Sequence, residues 1–87
     1  MANPVDKKLL ADFGVRIREL RTERGLSQEQ LAELTGFHRT YIGMVERGER
    51  NLSISNVGVF ARVFEISLSE ILEIRPLSNA AKSKNLK

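Results

Sequence analysis

The least ordinary side chains of this chain lie in the run TGFHRTYIGMVERGER, residues 35–50. When residues are placed at about 100° intervals around a helix axis, Ile42 and Val45 fall on one side, with Tyr41 at its edge. The opposite face spans an arc of about 140°, and it carries Arg39, Thr40, Gly43, Met44 and Arg47. A face that meets only water usually carries Glu, Lys and Gln, so this composition indicates contact with another molecule.

These side chains have the chemistry that reads the edges of base pairs. The guanidinium of Arg39 can pair with both O6 and N7 of guanine, and Thr40 can hydrogen-bond a base edge or touch a thymine methyl group. Gly43 would let the helix backbone approach DNA closely, although close packing on another helix explains it nearly as well. Met44 offers adaptable apolar contact.

The elements around this run have the spacing of a helix-turn-helix. Ser27 and Gln30 match a capping box and start a short second helix, which Gly36 ends. The third helix is predicted from about Arg39 to Arg47, closed by Gly48. The glycine-containing turn of about three residues between the two helices is typical of the helix-turn-helix, in which the second helix enters the major groove. Helical hairpins with glycine turns also occur for purely structural reasons.

The remaining pattern predicts three more helices. The first should run from residue 7 to Arg24, after Asp6 as N-cap, and the fourth should begin after Ser53. The fifth should begin after Ser67 and end before Pro76. The residues expected to face inward are Leu9, Leu10, Phe13, Ile17, Leu20, Leu31, Leu34, Val57, Phe60, Ala61 and Phe64. The fifth helix carries the apolar residues Leu68, Ile71 and Leu72. Because no segment alternates with period two, we expect an all-α fold, a compact bundle of about five short helices.

The run GLSQEQLAELTGFHRTYIGMVERGERNLS, residues 25–53, resembles the lambda-repressor/Cro-like (XRE type) helix-turn-helix family. The resemblance covers roughly residues 13–73, and its most specific parts are LSQEQLA, the turn at Gly36 and ERGERN. The segments HRTYI and VERGERNLS are especially similar to the controller proteins of bacterial restriction–modification systems, which are small dimeric regulators of the same fold. By this resemblance, Arg39 and Thr40 would read bases and Gln28 would bind a phosphate. Backbone contacts beyond the third helix would come from Arg50 and Asn51.

Two positions depart from the family pattern. His38 occupies the N-cap of the third helix, where Ser, Thr or Asp is more usual, so we expect a weaker cap. Val59 is apolar where the family commonly has a polar residue, which bears on dimerisation.

Several side chains near the third helix have two plausible roles. Arg47 and Arg50 suit phosphate contacts and intramolecular salt bridges equally well. Glu46 should be structural, paired with an arginine, because a phosphate would repel its carboxylate. Tyr41 should be partly buried, with its hydroxyl free to reach a phosphate or sugar.

The fourth and fifth helices carry apolar residues beyond those the core needs. Val59 and Val63 lie about 200° and 240° from Val57 around the helix, nearly opposite its inward stripe. A second apolar face on a small domain usually marks an interface, so we predict a homodimer. Its predicted contacts are Val59, Val63, Ile71 and Ile74. The alternative is that the fifth helix folds over Val63 and leaves Val59 as a lone exposed residue.

Composition excludes several other classes of protein. The 87 residues contain no cysteine and one histidine, so neither disulfides nor a metal site nor another cofactor is expected. The sequence lacks GxSxG, GxxxxGK[ST] and HExxH, and a chain this short has little room for a deep pocket, so we expect neither an enzyme nor a small-molecule ligand. There is no signal peptide and no apolar run that could cross a membrane, which favours the cytoplasm.

Charge is distributed unevenly along the chain. Residues 75–87 contain Arg75, Lys82, Lys84 and Lys87 and no acid, so of the net charge of +3 the rest of the chain carries only −1. We therefore predict a helix-turn-helix domain at residues 1–75 and a basic tail at 76–87. Bulk charge alone is weak evidence for nucleic acid here, and the prediction depends on the individual residues above.

Together these features predict a transcriptional regulator that binds a specific pseudo-palindromic site in double-stranded DNA as a homodimer, of the restriction–modification controller type. The alternatives are a phage-type repressor and an antitoxin-like protein-interaction module.

Overall fold

The computed structural model describes residues 6–74, and over this range it contains five α-helices and no β-strand. The helices are α1 (Lys7–Glu23), α2 (Gln28–Thr35), α3 (Arg39–Glu46), α4 (Ile54–Phe64) and α5 (Leu68–Ile71). The predicted all-α bundle is confirmed, and the helix boundaries agree to within a few residues. The predicted tail, residues 76–87, lies outside the described residues.

Local capping explains where most of these helices begin and end. Ser27 and Ser67 each form a complete capping box, with Gln30 and Glu70 as the reciprocal partners. Asp6 and Ser53 accept backbone N–H groups at the starts of α1 and α4. At the end of α2, Gly36 adopts a φ of 82°, in the left-handed region that favours glycine.

The core is assembled from α1 to α5 around two phenylalanines of α4. Phe60 and Phe64 are 0% and 2% exposed, and the predicted inward stripe of α4 is fully buried. The other buried apolar residues are Phe13, Ile17, Leu20, Leu31, Ala32, Ile42, Val45 and Ile71.

Two leucines predicted to face inward are exposed instead. Leu9 is 50% and Leu34 is 57% exposed. Leu9 lies in the first turn of α1, and Leu34 lies at the edge of the stripe that Leu31 centres. Helical periodicity gives the direction of a side chain around its axis, but not whether a neighbouring helix extends far enough to cover it.

Two glycines let α1 and the end of α3 approach each other closely. A methyl group at Gly14 would lie 2.5 Å from the carbonyl oxygens of both Val45 and Glu46. A methyl group at Gly48 would lie 2.7 Å from Cα of Ala11, and Gly48 also has a φ of 75°. Neither contact was predicted from the sequence. Together they fix the end of α3 against α1.

Two arginines, one in α1 and one at its C-cap, hold the last two helices against the bundle. Arg16 donates to the carbonyl oxygen of Glu70 at 2.9 Å, and Arg24 donates to the carbonyl oxygen of Phe64 at 3.0 Å. The guanidinium of Arg24 also lies over the Phe64 ring, 5.1 Å from its centroid. Among residues 6–74, the helices are all too short or too polar to cross a membrane.

Candidate nucleic-acid interface

The first turn of α3 presents its polar side chains to solvent. Arg39 and Thr40 are both exposed, as the predicted role in base reading requires. His38 occupies the N-cap in an extended conformation, and its side chain makes no capping hydrogen bond. The weaker cap expected from histidine is therefore confirmed, and the first N–H groups of α3 are not capped by its side chain.

The centre of the outward face of α3 is covered rather than open. Gly43 is buried, and a methyl group there would lie 3.1 Å from Nη1 of Arg47. Arg47 in turn donates from Nε and Nη2 to the carboxylate of Glu49, at 3.1 and 3.2 Å. The hydrogen bonds and the negative charge of Glu49 raise the pKa of Arg47. A close approach of DNA to Gly43 thus requires the exposed Arg47 side chain to move.

Met44, the last of the four predicted base-reading residues, is half-buried at the end of the same face. Its exposed part lies one helical turn from Thr40. Base reading by Arg39, Thr40, Gly43 and Met44 remains a prediction, with Arg39 and Thr40 the two that are fully accessible.

The side chain of Gln28 is anchored at the N-terminus of α2. Its Nε2 donates to Oε1 of Glu46 at 3.0 Å. The same carboxylate accepts two hydrogen bonds from Arg21, from Nε at 2.6 Å and from Nη2 at 3.0 Å. The prediction that Glu46 is structural and paired with an arginine is confirmed. The hydrogen bond and charge of Glu46 raise the pKa of Arg21 against the opposing effect of desolvation.

Gln28 and Arg39 share an open depression at the junction of α1, α2 and α3. Its lining residues are Arg21, Ser27, Gln28, Glu29 and Arg39. The structure therefore brings the predicted phosphate contact of α2 next to the predicted base contact of α3. That proximity is what a helix-turn-helix needs to bind a backbone and a groove at once.

Tyr41 joins α3 to the elements that follow it. Its ring meets Phe37 edge-on at a centroid distance of 4.9 Å, and the guanidinium of Arg50 lies 5.3 Å from its centroid. Its hydroxyl accepts a hydrogen bond from Nδ2 of Asn56 at 3.0 Å. Tyr41 is partly buried as predicted, and because Asn56 occupies only its acceptor oxygen, the predicted contact of its hydroxyl proton with a phosphate or sugar remains a prediction.

Arg50 and Asn51 are both exposed in the segment between α3 and α4. Arg50 stacks on Tyr41 rather than forming an intramolecular salt bridge among the described residues, whereas Arg47 forms one with Glu49. Their predicted phosphate contacts, and that of Asn51, remain predictions.

The predicted dimer contacts are divided between core and surface. Ile71 is 0% exposed because its side chain is buried in the monomer core, so its assignment to a dimer interface is wrong. Val63 and Ile74 are half-buried and pack against that core, while Val59 is half-buried on α4. Leu68 of α5 and Leu72 just after it are 40% and 44% exposed. Val63 packs against the core, as the alternative prediction expected, whereas Val59 is half-buried rather than exposed, and the dimer contacts of Val59, Val63 and Ile74 remain predictions.

Three residues near the interface were not predicted from the sequence. Arg21 bonds to Glu46, 25 residues away, and Asn56 bonds to Tyr41, 15 residues away. No local sequence pattern indicates either contact. Glu49 lies two residues from Arg47, and only this spacing in VERGER hints at their ion pair.

Known proteins of similar sequence and structure agree with this geometry. A family model described as "Helix-turn-helix" matches residues 17–71. Control protein C.SmaI from Serratia marcescens is 44% identical over 73 residues, which cover 84% of this chain and 83% of that protein.

Two solved controller proteins have similar folds. The restriction-modification controller protein C.AhdI from Aeromonas hydrophila aligns with a TM-score of 0.69 and 52% identity, covering 71% of this chain and 94% of that one. C.Esp1396I, solved as a tetramer in complex with its natural 35 base-pair operator, aligns with a TM-score of 0.66 and 36% identity, covering 74% of this chain and 88% of that one. This chain belongs to the helix-turn-helix family and is related to the control proteins of restriction-modification systems.

Proposed function

We propose that this protein is a transcriptional regulator of the restriction–modification controller type, which binds a specific pseudo-palindromic site in duplex DNA as a homodimer in the cytoplasm. The observation that carries the proposal is the exposed start of α3, where Arg39 and Thr40 stand beside the depression that holds Gln28. A relative of the same fold has been solved with its operator DNA. No catalytic role is proposed.

In this account α3 lies in the major groove and α2 crosses the backbone. Arg39 pairs with guanine and Thr40 contacts the neighbouring base, while Met44 supplies apolar contact. Gln28, Tyr41, Arg47, Arg50 and Asn51 bind phosphates on either side of the groove and set the register of the helix. Whether the protein activates or represses depends on where its site lies relative to a promoter.

The dimer is formed through α4 and α5. Its contacts are Val59 and the exposed edges of Val63 and Ile74, and Leu68 and Leu72 are further exposed apolar residues in and just after α5. A two-fold axis between the two copies would place their α3 helices in successive major grooves, with half-sites about 34 Å apart. An 87-residue chain also gains apolar burial that it has difficulty providing alone.

Salt dependence tests this proposal on duplex DNA of any sequence. If Arg47 and Arg50 bind phosphates in both copies, four cations displace counterions, and log K should fall against log salt with a slope of about −3.6. Fluorescence anisotropy of a labelled duplex, measured from low to moderate salt, gives that slope. A protein-interaction module would instead show no binding to duplex DNA even at low salt, and that result would overturn the proposal.

A further inference from the structure

Asn56, in the first turn of α4, hydrogen-bonds to Tyr41 of α3 across the segment that joins the two helices. The distance from Nδ2 of Asn56 to Oη of Tyr41 is 3.0 Å. Asn56 is not among the residues proposed to contact bases or phosphates. Its bond nevertheless ends on a hydroxyl that belongs to the candidate interface.

The direction of this hydrogen bond determines what the Tyr41 hydroxyl can do. A phenol hydroxyl has one proton to donate and an oxygen that accepts, whereas the amide nitrogen of Asn56 only donates. Because Asn56 donates, the proton of Tyr41 is left for a third partner. Within residues 6–74, no side chain or carbonyl group accepts it.

The side-chain amide of Asn56 is positioned by the first turn of α4. Its backbone N–H donates to Oγ of Ser53, the N-cap, at 3.1 Å. Asn56 therefore projects from a capped helical turn rather than from a loop, and its amide has a defined position relative to α3.

The surroundings of the Tyr41 ring favour an anion as that third partner. Phe37 packs edge-on against the ring, which limits its rotation, and the guanidinium of Arg50 lies 5.3 Å from its centroid. Arg50 is exposed, and its cationic guanidinium lies over the ring of a phenol that has only a proton left to offer. A phosphodiester oxygen satisfies both groups at once.

We propose that Asn56 is a positioning residue for DNA binding: by donating to Oη of Tyr41, it directs the phenol proton to a backbone phosphate that Arg50 also contacts. This inference rests on the proposed function. It assigns to Asn56 a role that depends wholly on the Tyr41 hydroxyl, and so it predicts strong coupling between the two residues.

A double-mutant cycle measures that coupling. Tyr41→Phe should lower affinity for the preferred duplex about tenfold, since it removes a hydrogen bond to a charged group. Asn56→Ala should lower it several-fold in the wild-type background and have no further effect in the Tyr41→Phe background. Equal losses in the two backgrounds would overturn the inference, because Asn56 would then act without Tyr41.

Asn56→Asp provides a second variant that reverses the hydrogen bond. A carboxylate only accepts, so it would capture the phenol proton and repel the phosphate, and affinity should fall further than in Asn56→Ala. An acidic side chain is also favoured in the first turn of a helix, so this variant keeps the cycle measurable even if Asn56→Ala unfolds. Affinity equal to that of wild type would contradict the inference.

Phosphate replacement supplies a readout that a merely structural role would not affect. In a series of duplexes, each with one phosphate replaced by a neutral methylphosphonate, the wild-type protein should lose affinity at one position per half-site. On the duplex substituted at that position, Asn56→Ala should bind as tightly as wild type. If Asn56→Ala still lowered the affinity at every methylphosphonate position, Asn56 would not act through a phosphate. The proposed function would be unaffected by that result. Failure of wild type to bind any duplex would instead remove both the inference and the proposed function.

Discussion

Arg21 of α1 and Glu46, the last residue of α3, form an ion pair with two hydrogen bonds, the shorter of which is 2.6 Å. Both side chains are nearly covered, at 11% and 4% exposure. Because Gln28 of α2 donates to the same carboxylate, three helices meet at Glu46. This carboxylate fixes the two helices of the helix-turn-helix relative to each other and to α1.

Removal of Glu46 should therefore destabilise the protein. In Glu46→Ala, the partly buried Arg21 would lose its partner, and we expect the free energy of unfolding to fall by about 1–3 kcal/mol. Urea denaturation followed by circular dichroism measures the loss.

The matched control replaces both partners with apolar residues. Arg21→Met combined with Glu46→Leu removes the pair without leaving a charge behind, and its stability should stay close to that of wild type. If this double variant were as unstable as Glu46→Ala, the loss would come from packing or from the hydrogen bond of Gln28 to Glu46, and not from the unpaired charge.

The close contact between α1 and α3 predicts strong sensitivity at Gly14. A methyl group there would overlap the carbonyl oxygens of Val45 and Glu46, so Gly14→Ala should cost about 1–3 kcal/mol in stability. Gly58→Ala is the control, because no atom lies within 4 Å of its added methyl group. In a helix interior that change should stabilise by about 1 kcal/mol. Thermal melts in a Val59→Glu background would prevent changes in dimer affinity from affecting the comparison. Similar shifts in Tm for Gly14→Ala and Gly58→Ala would contradict the close contact at Gly14.

The Arg47–Glu49 pair should restrain DNA binding. In Glu49→Gln, Arg47 would be free to leave Gly43 and bind a phosphate, and one negative charge near the DNA would be lost. We expect a several-fold gain in affinity that is larger at low salt, because exposed charges are screened as salt rises.

Glu33→Gln on α2 changes the net charge equally at another exposed position. Anisotropy titrations of both variants separate the local effect from the general one. Equal gains would show that Glu49 acts only through the overall charge of the protein.

Dimerisation should depend on Val59. Val59→Glu places a charge on the proposed α4–α5 interface, and sedimentation equilibrium at micromolar concentration should show a shift from dimer to monomer. Leu34→Glu makes the same type of change at a 57% exposed residue of α2 and should leave the dimer intact. A wild-type monomer that binds DNA with single-site stoichiometry would rule out the proposed assembly.

The sequence was most informative where structure is determined locally. The capping box at Ser27, the cap at Ser67 and the helix end at Gly36 involve residues within a few positions of each other, and all three were predicted. The interior stripe of α4 was also predicted, because helical periodicity places its four residues on one face.

What could not be predicted depends on contacts between distant segments. The partner of Glu46 lies 25 residues away on α1, and only the packing of three helices selects Arg21. The burial of Ile71 likewise depends on neighbours that helical periodicity cannot identify.

Selection of duplexes from a random-sequence pool tests the central claim most directly. Wild type should enrich a pseudo-palindrome with half-sites about 34 Å apart, bound by two chains. Arg39→Ala should lose about 1–3 kcal/mol on that sequence and relax the preference at one base position per half-site, whereas Arg50→Ala should weaken all sequences evenly. A wild-type pool that shows no enrichment over random DNA would contradict the account.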